Sequence, residues 1–239
     1  MTDKRVSNTD GIVVILSGGL DSTVLLAKEV AERGAEKVKA LSFNYGQRHS
    51  LELVHAKAIV SWYNVLHRVA NITPFDLFQG SSQTSTNVDV PEGHYEEPSM
   101  KLTVVPNRNM VMLSIAAAYA ISRGLHEIAY AAHAGDHAVY PDCRPQFVDW
   151  LNGTLEHALY KEQRVRIIAP FIQPSFQGGY GSFTKTDIVK LGAKLGVPFD
   201  LTYSCYNGRE KHCGKCGTCN ERREAFTLAG VEDPTEYEQ

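Results

Sequence analysis

The sequence predicts a doubly wound α/β fold, a parallel sheet with helices on both faces, closed by a small metal-binding tail. Three observations lead there. Ile12 to Leu16 (IVVIL) is an apolar run of strand length that breaks directly into SGGLDS and then into a helical pattern. Strand-length and helix-length segments alternate from there to about residue 200, the order that sets parallel strands side by side under two layers of helices. Four of the five cysteines fall within the last 35 residues.

The elements follow in order. Ile12 to Leu16 reads as a strand buried on both faces. Thr23 to Arg33 reads as a helix with Val24, Ala27 and Ala31 on one face, Lys28 and Glu32 toward solvent, and Gly34 at its C-terminal cap. Val38 to Phe43 is the next strand and Leu51 to Tyr63 the next helix. Residues 79–101 (QGSSQTSTNVDVPEGHYEEPSMK) break the rhythm and read as a flexible surface loop, either a functional lid or simply mobile. Asn107 to Ser122 is the most apolar helix, closed by Arg123-Gly124. Glu127 to Ala132 is a strand, Gln146 to Leu159 a helix and Val165 to Ala169 a strand. Thr186 to Leu195 is a short helix begun by the capping region Thr184-Lys185-Thr186-Asp187. The expected division is an α/β domain over 1–203 and a four-cysteine tail over 204–239.

Composition bounds the function. The 239 residues, 43% hydrophobic, suffice for one large domain with a sizeable core and are too apolar for a disordered chain. Lys and Arg total 24 against 27 for Asp and Glu, a net charge of -3, which disfavours a dedicated, salt-driven nucleic-acid binder. Met110 to Ile121, interrupted by Ser114, falls short of the roughly 20 apolar residues that span a bilayer. The polar N-terminus MTDKRVSNTD lacks the hydrophobic segment of a signal peptide. A soluble, cytoplasmic enzyme with no membrane partner is expected. An odd, clustered cysteine count points to a metal or a reactive thiol rather than to a disulfide framework.

SGGLDS places Leu16, Ser17, Gly18, Gly19, Leu20, Asp21 and Ser22 between a buried strand and a helix N-terminus. Two glycines let the backbone fold around a ligand, and the N–H groups converge where the helix dipole is positive, which suits a phosphate. Ser17 and Ser22 add hydroxyl donors. Asp21 in an anion site needs a reason: it caps the helix, or it helps hold a Mg2+ that bridges phosphates. An ordinary glycine turn is the plain alternative. Neither a Walker-type loop nor a G-x-G-x-x-G fingerprint occurs here. The hexapeptide resembles the SGGxDS pyrophosphate loop of the N-type ATP pyrophosphatase (PP-loop) superfamily, whose Rossmann-like fold is of the HUP type. That resemblance implies adenylation of a substrate oxygen, with release of pyrophosphate and displacement of AMP by a nitrogen or sulfur nucleophile.

Cys205, Cys213, Cys216 and Cys219 give C-x7-C-x2-C-x2-C. Overlapping C-x2-C knuckles present thiolates to one ion, and tetrahedral Zn2+ takes four sulfurs at about 2.3 Å. The bacterial iron–sulfur run would need a cysteine at position 223, which is Arg. His212, next to Cys213, is expected to point away. With four thiolates no position is open for water, so a structural zinc ion is expected. Arg209, Lys211, Lys215, Arg222 and Arg223 are balanced by Glu210, Glu221 and Glu224, and no basic patch results.

Four further segments narrow the choice: FNYGQRHS (43–50), VPNRN (105–109), HAGDHAVYPDCRPQF (133–147) and FTKTDIV (183–189). With the phosphate loop and the cysteine tail they resemble the 7-cyano-7-deazaguanine (preQ0) synthase family of the queuosine pathway, from about Val13 to Arg223. Asn107 departs from the Gly that many members carry, and HAGDHAV is a variable stretch. The resemblance implies a ligase acting on 7-carboxy-7-deazaguanine, ammonia and ATP with Mg2+, as a homodimer. It implies Tyr45, Gln47 and Arg48 near the nucleotide, where a capping turn is the alternative, and Lys185 on the phosphates, where an exposed helix-start lysine is the alternative. It puts Arg108 on the substrate carboxylate, Asn109 and Arg144 beside the substrate, and Asp136 or Asp142 on the base edge or the metal. Cys143 is a thioester nucleophile or a packed residue. Ammonia would come free or from a partner. The rivals are a tRNA-modifying adenylase and a zinc-stabilised nucleotide-binding regulator without turnover.

Overall fold

β1 (Ile12–Ile15) lies at the centre of a wholly parallel, five-stranded sheet of order β3-β2-β1-β4-β5. The others are β2 (Val38–Asn44), β3 (Leu66–Asn71), β4 (Glu127–Ala129) and β5 (Arg166–Ile168). A computed structural model of the chain describes residues 11–72, 80–95, 97–172 and 182–238. β1 alternates its buried side chains between two cores, the reason its sequence is apolar throughout. Ile12 and Val14 face a cluster built from α1 (Leu20–Arg33), α2 (Leu51–Trp62), α5 (Lys185–Lys194) and α6 (Gly217–Ala229). Val13 faces the other, built from α3 (Arg108–Ser122) and α4 (Pro145–Ala158). The chain runs outward from β1 to β3, then returns to add β4 on the opposite side of β1. That reversal opens a crevice at the C-terminal ends of β1 and β4, where sheets of this type bind ligands.

The expected strands and helices form, with shifted ends. α1 starts at Leu20 rather than Thr23, so Asp21 and Ser22 sit in its first turn. β4 stops at Ala129, which leaves residues 130–132 as the lead-in to the crevice. Within α1 two placements are reversed. Ala31 is exposed, while Lys28 is buried, its Nζ donating to Glu29 Oε1 at 3.1 Å and Glu32 Oε2 at 2.7 Å. A long stem can be buried when carboxylates meet its head. β3 was not expected: LHRVAN has no apolar run, and as an edge strand it is held by backbone pairing with β2 from Lys39↔Leu66 to Asn44↔Asn71.

The 79–101 segment, read as a surface loop, carries some of the most buried polar residues of the chain over its described part, with Ser81, Ser82 and Gln83 at 0–1% exposure. Arg48 N–H donates to Gln83 O, and the Arg48 guanidinium donates to Ser85 O and Val88 O. Farther along, Gly93 N–H donates to Lys215 O and Asn220 Nδ2 donates to Gly93 O. The segment is thus strapped to the end of β2 and to the tail. Asn107 has a left-handed φ of 59°, which Asn tolerates better than other side chains, so it can stand where the resembled family carries Gly.

The tail contains a helix that the cysteine spacing did not reveal. α6 packs Ala225 and Phe226 into the same core as β1 and α1, with the Phe226 ring edge-on to Phe199 at 4.9 Å. Arg222, fully buried, ties the tail down. Its guanidinium reaches Asp233 Oδ1 at 3.0 Å, Thr202 Oγ1 at 2.7 Å and Phe199 O at 3.2 Å. Among the described residues no helix is long and apolar enough to cross a membrane.

Burial alone would raise the Asp233 carboxyl, but Arg222, the Tyr237 hydroxyl and Thr235 outweigh it and hold it below the ordinary carboxylate value. A depressed carboxylate contributes stability above the unfolded value of about 3.9, lost as pH falls through the folded one. Asp233→Asn leaves Arg222 buried without its counter-charge and should cost about 3 kcal/mol in urea unfolding at pH 7. The wild type should lose that margin on acidification below about pH 4, and the variant should show a flatter acid limb.

Candidate active site

β1 delivers the phosphate loop into the crevice. Ser17 Oγ lies 3.0 Å from Ser22 Oγ and accepts from Gly19 N–H at 3.2 Å. Ser22 Oγ and Thr23 Oγ1 both reach Gly19 O. Gly19 stands at the N-cap of α1 with no side-chain capping bond, so the positive end of the helix faces the crevice uncapped. Gly18 has φ 97°, and a Cβ there would lie 2.1 Å from Glu52 O on α2. Only glycine permits both the turn and that approach. Its own carbonyl accepts from Tyr203 N–H at 2.9 Å, joining the loop to the chain that leads into the tail.

Asp21 is not a helix cap. Its Oδ2 is 2.6 Å from Lys185 Nζ, which is also 3.2 Å from Glu221 Oε2 and 3.5 Å from His133 Nε2. The Thr184–Asp187 capping box fixes the start of α5 and so the root of Lys185. Burial opposes the charge on Lys185, but Asp21 and Glu221 outweigh it and hold the ammonium above its ordinary value. Burial likewise works to raise Asp21, yet Lys185 and His133 hold it below the usual carboxylate range. Burial raises Glu221 by more than Lys185 lowers it. His133 Nδ1 accepts from Gly135 N–H at 3.1 Å, leaving Nε2 toward Asp136 Oδ1 at 3.6 Å and Glu221 Oε1 at 3.9 Å.

The cavity in front of these groups measures about 240 Å³. Its opposite wall is a shell of phenols around one cation. Arg108 donates to Gln83 Oε1 at 2.8 Å and Tyr45 hydroxyl at 3.3 Å, and its guanidinium carbon stands 5.9 Å from the Tyr45 ring centre. Among the described residues no carboxylate forms an ion pair with it. Tyr140 hydroxyl lies 2.7 Å from Thr103 Oγ1 and 3.4 Å from Tyr206 hydroxyl. Tyr95 hydroxyl donates to Asp136 Oδ1 at 3.0 Å. Burial pushes the Tyr45 phenol up to about 12, so the shell offers neutral hydroxyls and ring faces.

The four tail cysteines converge. Their sulfurs all lie within 4.8 Å of one another, and all four residues are buried. Ligand sulfurs about 2.3 Å from a tetrahedral ion stand about 3.8 Å apart, and Cys213–Cys219 and Cys216–Cys219 are separated by 4.0 and 3.5 Å. Cys213 N–H donates to Cys205 Sγ, and Lys215 and Cys216 N–H donate to Cys213 Sγ, bonds that favour thiolates. Gly214, with φ 70°, makes the turn between them. The set can hold a metal ion. His212 Nε2 instead accepts from Ser204 N–H at 3.0 Å, and burial pushes its imidazole down to about 4.

Of the residues singled out in the sequence, Leu16, Ser17, Gly19, Leu20, Asp21, Ser22, Tyr45, Arg108, Asn109, Asp136, Cys143 and Lys185 line the cavity. Gly18 is turned against α2. Gln47, Arg48, Asp142 and Arg144 do not line it. Gln47 braces the β2–α2 turn through Phe43 O, Tyr45 N–H and Glu52 Oε1, and Arg48 holds the strap. Asp142 accepts from Asn109 N–H at the head of α3, and Arg144, exposed, donates to His137 O. Cys143 Sγ is 3.4 Å from Asn109 Nδ2, and burial raises its thiol well above the ordinary value, a poor setting for a nucleophile. Sequence reasoning missed His133, Glu221, Gln83, Tyr95, Tyr140 and Tyr206. Glu221 carried no signal of its own, because the helix that presents it was not expected and its charge read as a balance to the tail's basic residues.

A family profile described as "Queuosine biosynthesis protein QueC" matches residues 11–230. The 7-cyano-7-deazaguanine synthase of Alteromonas mediterranea is 49% identical over 230 residues, covering 96% of this chain and 100% of its own. That of Caldicellulosiruptor bescii is 49% identical over 226 residues, 95% of this chain and 96% of its own. Among solved structures, NMN synthetase from Francisella tularensis aligns with TM-score 0.47 and 17% identity, over 94% of this chain and 79% of that one.

Gly18→Ala should cost about 2–4 kcal/mol and melt at a lower temperature, because the added Cβ meets backbone at a positive φ. Gly153→Ala, in the open interior of α4 with nothing within 4 Å, should instead gain about 0.4–1 kcal/mol.

Proposed function

The chain belongs to the QueC family of queuosine biosynthesis proteins, and on that premise we propose that it converts 7-carboxy-7-deazaguanine and ammonia to 7-cyano-7-deazaguanine at the expense of ATP. The observation that carries this reading is the pairing, across one cavity, of an uncapped helix N-terminus with a guanidinium that forms no ion pair with a carboxylate among the described residues. A half-buried cation with no ion-paired carboxylate is costly, and a substrate carboxylate would supply one, held by the bidentate fork of Arg108. The ring faces of Tyr45, Tyr95, Tyr140 and Tyr206 suit a planar deazapurine. The phosphates of ATP lie on Ser17, Gly19, Leu20 and Ser22 at the positive end of α1.

The chemistry then runs in two activations. The substrate carboxylate oxygen attacks the α-phosphate and pyrophosphate leaves, replacing a poor oxide leaving group with AMP. Ammonia adds to the acyl-adenylate, AMP departs, and the amide forms with loss of a proton. A second ATP adenylates the amide oxygen as pyrophosphate leaves and one N–H proton is lost; departure of AMP with the remaining N–H proton leaves the nitrile. Lys185 exchanges Asp21 for the phosphates and offsets the charge that builds on the departing pyrophosphate. Mg2+, when bound, neutralises phosphate charge, and Asp21 is the residue that would help hold it. Water is restrained by the packed strap and the phenol shell. The reading extends to a structural zinc ion at the four thiolates, a homodimer, a cytoplasmic location and no nucleic-acid partner.

Incubation with ATP, Mg2+, ammonium and 7-carboxy-7-deazaguanine should yield the nitrile by mass spectrometry, with AMP and pyrophosphate. Amide alone would mark an enzyme that stops halfway, and absence of AMP would sink the adenylation reading. Asp21→Ala should abolish AMP release with metal content unchanged. Arg108→Met should lower kcat/KM for the carboxylate substrate about a hundred-fold, the worth of a charged hydrogen-bond pair.

A further inference from the structure

Glu221 has no part in the reaction as laid out above, yet its carboxylate stands at the centre of the cluster. It projects from α6 two residues after Cys219, and α6 begins at the knuckle itself, with Cys216 at its N-cap. Its Oε2 is 3.2 Å from Lys185 Nζ, and its Oε1 is 3.9 Å from His133 Nε2. Lys185 and Glu221 are both largely buried, at 14% and 12% side-chain exposure, where an ion pair is weakly screened.

An ammonium has three donors. In this arrangement Nζ donates to Asp21 Oδ2 at 2.6 Å and lies 3.5 Å from His133 Nε2, while Glu221 Oε2 faces it as an ion-pair partner at 3.2 Å and takes no hydrogen bond. If Lys185 turns to a phosphate and Asp21 to a cation, as in the function proposed above on which this inference rests, the shortest of these contacts is lost. A flexible four-carbon stem would then be free to leave the crevice. Glu221 is the remaining carboxylate in contact with Nζ, and it is mounted on a different wall from the phosphate loop. We infer that Glu221 is a positioning residue for Lys185, keeping the ammonium over the phosphate loop while Asp21 changes partner, and that the thiolate knuckle is the mount that brings this carboxylate to the site. The tail is then a wall of the active site as well as a staple. Its contributions to the cavity include Tyr206 and Thr218, the latter anchored by donation to Ser204 O at 2.8 Å.

The test is a double-mutant cycle on the intact, metal-loaded protein with Glu221→Gln, Lys185→Gln and the pair. Glu221→Gln should raise KM for ATP about ten- to a hundred-fold, with KM for 7-carboxy-7-deazaguanine, metal content and melting temperature unchanged. The double variant should be no worse than Lys185→Gln alone. Additive losses, or an unchanged KM for ATP, would overturn the inference and leave the ATP reading standing. Loss of metal or of folding in Glu221→Gln would assign the residue to the tail's stability and also overturn it. Wild-type protein that forms no AMP would overturn the reading of the phosphate loop and the inference with it.

Discussion

One buried ammonium organises this molecule. Lys185 is 14% exposed at its side chain, and a lysine so placed must be met by carboxylates or lose its proton. It is met by Asp21 from the first turn of α1 and by Glu221 from α6, with His133 completing the ring from the loop beyond β4. Three stretches of chain that share no local register are thereby brought to one point. The arrangement is a stable reservoir of charge: the ammonium is held above its ordinary value and Asp21 below its own. Neither changes protonation near neutrality, so a ligand can rearrange the partners without a proton having to move.

The sheet makes that point a site. The reversal of strand order beside β1 leaves room at the strand C-termini, and Gly18 lets the loop press against α2 so that the uncapped end of α1 faces into it. On the far wall Arg108 presents a different electrostatic problem, a cation hydrogen-bonded to a phenol and an amide, with no carboxylate of the described residues in an ion pair with it. The tail closes the third side. Arg222 fastens it through Asp233, Thr202 and Phe199 O, and the knuckle orients the first turns of α6. A metal ion at the four thiolates would therefore bear on the active site through the helix it starts.

Much of the site was legible because its signals are local. The phosphate loop is contiguous, and its glycines sit between an apolar strand and a helix. The thiolates announce themselves by spacing. Arg108, Asn109, Asp136 and Cys143 were found through the motifs that hold them. Gln47, Arg48, Asp142 and Arg144 share those motifs but brace the turns that present their neighbours. Sequence proximity does not separate a residue that faces the ligand from one that holds the turn. β3 escaped notice because an edge strand is specified by its partner rather than by its own apolar pattern. The 79–101 segment looked like loop for its composition, yet burial of Ser81, Ser82 and Gln83 is satisfied by backbone partners that only the fold supplies.

The sequence alone determined the buried strands, the glycine loop that opens α1, the spacing of the four sulfurs and a near-neutral net charge. Each is a property of a short window, in which side-chain period, glycine and spacing act directly on the backbone. The tertiary structure decided which charges meet. Asp21 and Lys185 are 164 residues apart in the chain, and Glu221 reaches Lys185 through a helix whose start is set by cysteines. No period or motif encodes such contacts. They exist because packing α5 and α6 against the same core leaves the ammonium one place to go.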